Sequence, residues 1–369
     1  MKTHVTLAGR TAKPVLSSRA MRILRGAFGF ALLFGGAALA QEFQASEFTP
    51  CQNPCSSIVL SGGNQLVAEG GAQSNHALLL FVDQRGDQLN LPSVAGLPAG
   101  RTRNRSTFGP LAFALDGDTM YIAVGESDQF HTTGPAFIRA MATVFSPAVI
   151  RIRFPGDPSN SGPFVLDAAT RQQLLNGQPV VLTDFSGRTA TFDLVARLGT
   201  NAHPVALALL PAVPNRLFVV DSRTRRLNGI DLTTGQVSVV AQFPTTVESM
   251  RAFGDRQLLV TFYSSQANGS SVWLIDPVAG QSRLIIDNLT SAIDLIARNN
   301  GGATTFFVLE ANAAADGTGQ VLSIDSTGTR RTVLANELND PTSLAIDEFT
   351  GRLFIHSRGD GLIYTVPLP

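Results

Sequence analysis

Lysine is almost missing from this 369-residue chain. Its two lysines, Lys2 and Lys13, both lie in the first 40 residues. The rest of the chain therefore cannot form a lysine Schiff base, a Ser-x-x-Lys nucleophile pair or the lysine contact of a phosphate-binding loop. Charge is scarce as well: Asp, Glu, Lys and Arg make up 15% of the residues, against about 25% in ordinary globular domains. The zero overall charge hides two unlike parts. Residues 1–40 carry six basic groups (Lys2, Arg10, Lys13, Arg19, Arg22 and Arg25) and no acidic one, which leaves 22 arginines against 28 acidic residues, net −6, for residues 41–369. A negative body without a basic run lacks the clustered Arg and Lys of a nucleic-acid footprint, so no nucleic-acid partner is expected. No Gly-x-Ser-x-Gly elbow and no His-Glu-x-x-His pair occurs. Cysteine is limited to Cys51 and Cys55.

What is present begins with a leader. From Met21, a second candidate start, Arg22 and Arg25 precede an apolar run over 26–40 that ends Ala38-Leu39-Ala40 before Gln41. Basic residues, an apolar stretch and small residues at −3 and −1 are the marks of a secretory signal peptide. A spanning helix needs roughly 20 apolar residues, more than this run supplies. The expectation is an exported, secreted or periplasmic protein with no membrane span after cleavage, a signal peptide over 1–40, an N-terminal segment over 41–55 and one domain over 56–369. In an exported chain two cysteines this close predict a Cys51–Cys55 disulfide.

The body repeats a phrase at intervals of 40–50 residues. An apolar strand after Pro or Gly is followed by a stronger strand with a polar end: Leu79–Asp83, Met120–Val124, Leu217–Asp221, Leu258–Phe262, Phe306–Glu310 and Leu353–Ser357. A third strand closes on Ile-Asp before a turn, at Ile230-Asp231, Ile275-Asp276 and Ile324-Asp325, spaced 45 and 49 residues apart. Strands rich in Val, Ile, Leu, Phe and Thr, bounded by Gly, Asp, Asn and Pro, read as four-stranded antiparallel meanders. One meander cannot cover both its faces, and radial stacking does so. The expectation is an all-β, six-bladed β-propeller, monomeric, with an insertion around 127–195 in place of a seventh blade. The last blade supplies three strands before the chain stops, so its outer strand is expected from Ser56–Val67, which removes an exposed edge.

With a single tryptophan, Trp273, WD40 and kelch repeats are excluded. The phrases "HPVALALLPAVPNRLFVVD", "DPTSLAIDEFTGRLFIHS" and "GPLAFALDGDTMYIAVG" resemble the NHL and SMP-30/gluconolactonase group of six-bladed propellers. The blade order is more similar to the ScyD/ScyE family of exported propellers, through Gly109-Pro110, the stretch from Asn201 to Pro204, Thr246-Val247-Glu248-Ser249, Asn288–Asp294 and Asn336–Ile346. This chain departs from the pattern at His203 and in its degraded "FGDR" and "ARNNGG" turns. The resemblance implies the fold and export more than a chemistry.

In such a ring the starts of the innermost strands meet at one mouth of the channel. Asn201, His203, Glu248, Asp294, Asn339 and Asp340 fall at that repeat position. Glu248, Asp294, Asn201, His203 and Asp340 together offer the donor types for Ca²⁺ or another divalent ion, although Asn and Asp equally serve as turn caps. Two readings follow: a non-catalytic binding or scaffold protein for a small molecule, glycan or protein partner, or a metal-dependent lactonase or esterase of the SMP-30 type. The lactonases hold a metal with Glu and Asn/Asp in the channel; Glu69 in "VAEGG" only loosely matches their Glu-Gly-Pro start. The histidines His76, His131 and His356 are isolated, and both Arg-Gly-Asp triplets, Arg85–Asp87 and Arg358–Asp360, read as strand-end turns.

Overall fold

The protein is represented by a computed structural model that describes residues 45–51, 54–69, 77–88, 92–98, 100–101, 107–108, 112–124, 147–158, 161–199, 202–313, 317–329 and 331–368. The expected signal peptide and its expected cleavage site lie outside them. Along the chain come β1 (Ser46–Pro50), then a first blade of β2 (Pro54–Val59), β3 (Gln65–Glu69), β4 (Ala77–Val82) and β5 (Val94–Leu97). A short ribbon of β6 (Gly100–Arg101) and β7 (Thr107–Phe108) leads to the second blade. That blade holds β8 (Ala112–Asp116), β9 (Thr119–Val124), β10 (Ala148–Arg153) and β13 (Thr189–Arg197), with β12 (Val180–Thr183) on its edge. The third is β14 (Pro204–Leu209), β15 (Arg216–Asp221), β16 (Arg226–Asp231) and β17 (Val237–Gln242). The fourth is β18 (Val247–Phe253), β19 (Gln257–Phe262), β20 (Ser270–Asp276) and β21 (Gln281–Leu289). The fifth is β22 (Ala292–Asn300), β23 (Ala303–Glu310), β24 (Gly319–Ile324) and β25 (Arg331–Leu338). The sixth is β26 (Pro341–Asp347), β27 (Arg352–Ser357) and β28 (Leu362–Pro367), completed by β1.

These sheets form a six-bladed β-propeller. The inner strands β2, β8, β14, β18, β22 and β26 each lie beside the next, and β26 returns to β2. The second strands β9, β15, β19 and β27 are buried along nearly their whole length, because both faces are covered by neighbouring blades. This is why they read as continuous apolar runs rather than alternating ones. Alternation reappears in which neighbour each residue faces: Leu217 and Val219 pack toward the second blade, Phe218 and Val220 toward the fourth. Six apolar clusters result, one per interface, the sixth joining Val67, Leu80 and Val82 to Ala345, Phe354 and Ile363.

Closure follows the expected principle with a different strand. β1 pairs antiparallel with β28, Ser46 opposite Thr365 and Pro50 opposite Leu362. The expected outer strand Ser56–Val67 is instead a hairpin, β2 and β3, turning at Ser61-Gly62-Gly63, where both glycines have positive φ. It forms the inner half of the first blade. Leu79–Asp83 is therefore the third strand of its blade, not the second. The propeller thus takes in part of the 41–55 segment.

The expected Cys51–Cys55 bridge is not formed: Cys51 is a buried free thiol. Its N–H donates to Gly361 O at 2.9 Å, on the last blade, whereas Cys55 belongs to β2 of the first blade. Burial, reinforced by Glu69, pushes the Cys51 thiol up to about 12. The insertion is real, and among the described residues it makes no seventh blade. After β10 the chain sends β11 (Phe164–Val165) to pair parallel with β5, then forms α1 (Ala168–Leu175) before β12 and β13 complete the second blade. Asp167 caps α1, its carboxylate accepting from Thr170 N at 2.8 Å.

Candidate functional site at the channel mouth

Five inner strands carry a β-bulge at the same place. Register slips between Pro54 and Ser56, Pro204 and Ala206, Val247 and Ser249, Ala292 and Asp294, and Pro341 and Ser343. A bulge leaves one residue unpaired and re-aims its side chain. Val205, Glu248, Ile293 and Thr342 are among those residues, and all four line a cavity of about 90 Å³ on the channel axis. Just inside lies a six-membered ring with one residue from each blade: Ser56, Ala112, Ala206, Ser249, Asp294 and Ser343. The small side chains are what the converging strands leave room for.

Asp294 is the one charged member of that ring, 3% exposed, and its oxygens are filled from within. Oδ1 accepts from Ser249 Oγ at 2.5 Å and Leu295 N at 2.8 Å, and Oδ2 accepts from Leu344 N at 2.8 Å. Arg251, on the same inner strand as Ser249, donates through Nη2 to Oδ2 at 2.6 Å and to Leu344 O at 3.1 Å. A guanidinium of the protein itself thus supplies the positive charge beside this carboxylate.

Glu248 stands in a different situation. No hydrogen bond or ion pair of its carboxyl is formed with any described residue, and burial alone pushes it up to about 7. Of the other expected ligands, Asp340 makes a two-point ion pair with Arg358, at 2.8 and 3.0 Å, outside the cavity. His203 precedes β14 and does not line the cavity. Its N–H donates to Asp221 Oδ1 at 2.9 Å, and burial and then Arg223 lower its imidazole pKa. Asn201 lies outside the described residues. The structure therefore brings Glu248 and Asp294 to one channel and places His203 and Asp340 elsewhere. Among the described residues no group of three or more His, Cys, Asp and Glu is placed to hold a metal ion.

The repeated polar residues mostly fasten loops. Asp221 also accepts from Arg223 N and Thr224 N, both at 3.2 Å. Asp231 and Asp276, of the Ile-Asp pairs, each take two backbone N–H groups of the following turn. Asp83 does the same for Arg85 and Asp87, so the first Arg-Gly-Asp is a turn. Sequence reasoning does not reach Arg251 or Ser56. A signal exists nonetheless: Ser249, Asp294 and Ser343 are 45 and 49 residues apart, the spacing of the Ile-Asp pairs.

Behind the ring, His356 is fully buried. Its Nδ1 lies 3.1 Å from Ser343 O and 3.0 Å from Ser343 Oγ; a carbonyl can only accept, so that bond requires the proton on Nδ1. Nε2 has no partner among the described residues, and burial lowers the pKa to about 4.

Glu248 and His356 act oppositely on stability. Folding raises the Glu248 pKa from 4.5, so its contribution is complete below pH 4.5 and is lost as pH rises through 7. Folding lowers the His356 pKa from 6.5, so its contribution is present above pH 6.5 and is lost as pH falls through 4. Each is worth about 3 kcal/mol across its window, and in the native protein they offset between pH 6.5 and 4.5. The expected result is that Glu248→Gln loses stability on acidification from pH 7 to 5 while His356→Asn gains it. Thermal midpoints across that range would show this; parallel slopes in the two variants would refute it.

No protein-family model matches the chain, and no curated protein sequence does. Solved structures are similar in fold. A structural genomics protein of unknown function from Bacteroides thetaiotaomicron is 11% identical, TM-score 0.52, covering 88% of this chain and 72% of its own. A streptogramin B lyase is 12% identical, TM-score 0.51, covering 90% of this chain and all of its own. A chain of a nidogen–laminin complex is 11% identical with TM-score 0.48, covering 83% and 94%. At these identities the likeness to the first two shows the propeller fold alone. No helix among the described residues is long and apolar enough to cross a membrane.

Proposed function

We propose that the protein is an exported, non-catalytic propeller, similar to the ScyD/ScyE group, that binds a small molecule, glycan or protein partner at its channel mouth. One observation carries this reading: Arg251 already neutralises Asp294, the channel carboxylate best placed to share a cation with Glu248. A lactonase-type metal would have to displace that guanidinium and recruit ligands that the described residues do not place around it. Backbone bulges on mutually buttressed strands provide a rigid mouth, which is the preorganisation that binding requires.

The test uses protein recovered from the export route. Its intact mass should begin at Gln41, and it should contain no stoichiometric metal and hydrolyse no lactone or aryl ester. Retention of residues 1–40 would overturn export. Stoichiometric Ca²⁺ or Zn²⁺, lost together with esterase activity in Glu248→Ala or Asp294→Ala, would replace this reading with the metal-dependent hydrolase.

A further inference from the structure

Two polar groups on residues lining the channel cavity have no partner among the described residues. One is the Glu248 carboxyl. The other is Ser56 Oγ, on a residue 9% exposed that lines the same cavity and whose hydroxyl makes no hydrogen bond. They come from the fourth and first blades, which face each other across a six-membered ring. The buried Ser56 hydroxyl is costly without a partner, and together with the half-buried Glu248 carboxyl it calls for a ligand that donates hydrogen bonds.

The surroundings narrow the chemistry. Val205 and Ile293 give the mouth two apolar walls beside the polar Thr342, and Asp294 is occupied by Arg251, so the unpaired charge is negative and single. A bare metal ion would lack the further oxygen ligands it needs. A space of about 90 Å³, against roughly 300–1,000 Å³ for ordinary ligand pockets, excludes a sugar ring or fused aromatic system and admits a slender chain. An ammonium on an unbranched alkyl stem has three donors at its tip and apolar surface behind. Lysine would be such a group, and residues 41–369 contain none.

We propose that the channel mouth is a binding site for a primary alkylammonium group, with the Glu248 carboxylate as its counter-ion, Ser56 Oγ as a second acceptor and Val205 and Ile293 around its stem. This deepens the reading of the propeller as a binding protein and rests on it. The group could belong to a free amine or to a lysine side chain of a partner. Binding is linked to pH through Glu248, which must be ionised. The other charged or titratable groups facing it are Arg251 on its own strand and Asp294 on β22, already paired with each other, and His356 behind β26; the lining residues of β14 and β26 carry none.

Calorimetric titration of the mature protein with 1-aminohexane, 1-hexanol and an acetylated, amidated lysyl peptide tests this. At pH 8 an amine-bearing probe should bind at least about tenfold more tightly than 1-hexanol. Glu248→Gln should remove at least tenfold of that affinity and Ser56→Ala about threefold, and wild-type affinity should fall toward tenfold per pH unit below pH 7. Binding by the free amine alone identifies a small molecule, and binding by the peptide alone identifies a protein lysine; either supports the site. Equal affinity in wild type and a folded Glu248→Gln, equal binding of 1-hexanol, or no millimolar binding of either amine overturns it. Glu248→Gln keeps the side chain's shape and removes an unpaired, half-buried charge, so it should fold. Failure of both amines in a metal-free, inactive protein would sink the ammonium site and leave the binding reading standing, whereas metal with esterase activity would sink that reading itself.

Discussion

Deleting residues 41–51 is expected to lower stability by about 3–5 kcal/mol. That deletion removes β1, and with it the ladder from Ser46 opposite Thr365 to Pro50 opposite Leu362 and the bond from Cys51 N to Gly361 O. It also removes the Phe48 ring from Phe354, 4.8 Å away at 55°, and uncovers the edge of β28 and the buried Ile363 beneath it. Two single changes divide the effect. Phe48→Ala should cost about 2–3 kcal/mol, somewhat below a fully buried Phe→Ala, because Phe48 is half-buried. Gly86→Ala should weaken the same seam: Gly86 has φ +93°, and a Cβ there would lie 2.3 Å from Phe48 O. Extending the deletion to residue 68 also removes β2 and most of β3, and no folded ring is expected. Denaturant titration of the 41–51 deletion decides the matter. An unchanged midpoint would mean that β1 does not close the ring.

Arg251→Met should be the most damaging single substitution in the channel. It leaves Asp294, 3% exposed, without its cation, and breaking a buried pair from one side costs roughly 3–5 kcal/mol. The Arg251 side chain is 35% exposed, so water screens part of this and about 2–4 kcal/mol is the expected loss. Asp294→Leu should do comparable harm from the other side, since Ser249 Oγ, Leu295 N and Leu344 N also lose their acceptor. The double variant should recover at least half of the summed losses, because neither charge then remains unpaired. Additive losses in a double-mutant cycle would show that the two side chains do not interact, which would leave Asp294 open to a cation from solution.

Half of the candidate site is legible in the sequence. Repeat position alone puts Glu248 and Asp294 at the channel, and both residues line one cavity there. His203 and Asp340 share that approximate position, but each falls just ahead of an inner strand, outside the cavity lining, and is held there by Asp221 or Arg358. Spacing between repeats locates a side chain to within one or two residues, and a bulge shifts side chains by that amount. Closure departs from expectation for a similar reason. Ser61-Gly62-Gly63 is a turn inside Ser56–Val67, so that segment is two strands of one hairpin rather than a single outer strand.

The class of fold is written in consecutive residues. Continuous apolar second strands, Ile-Asp turn caps and a period of 45–49 residues arise from local pairing and from burial on both faces, so each can be read without knowing which blades meet. The chemistry of the axis is different, because it exists only once the ring has closed. Residues that meet there stand one blade apart or half a ring apart, so nothing local couples Arg251 to Asp294 or Glu248 to Ser56. Their pairing, and the lack of a partner for Glu248 among the described residues, come from six inner strands converging on one small space.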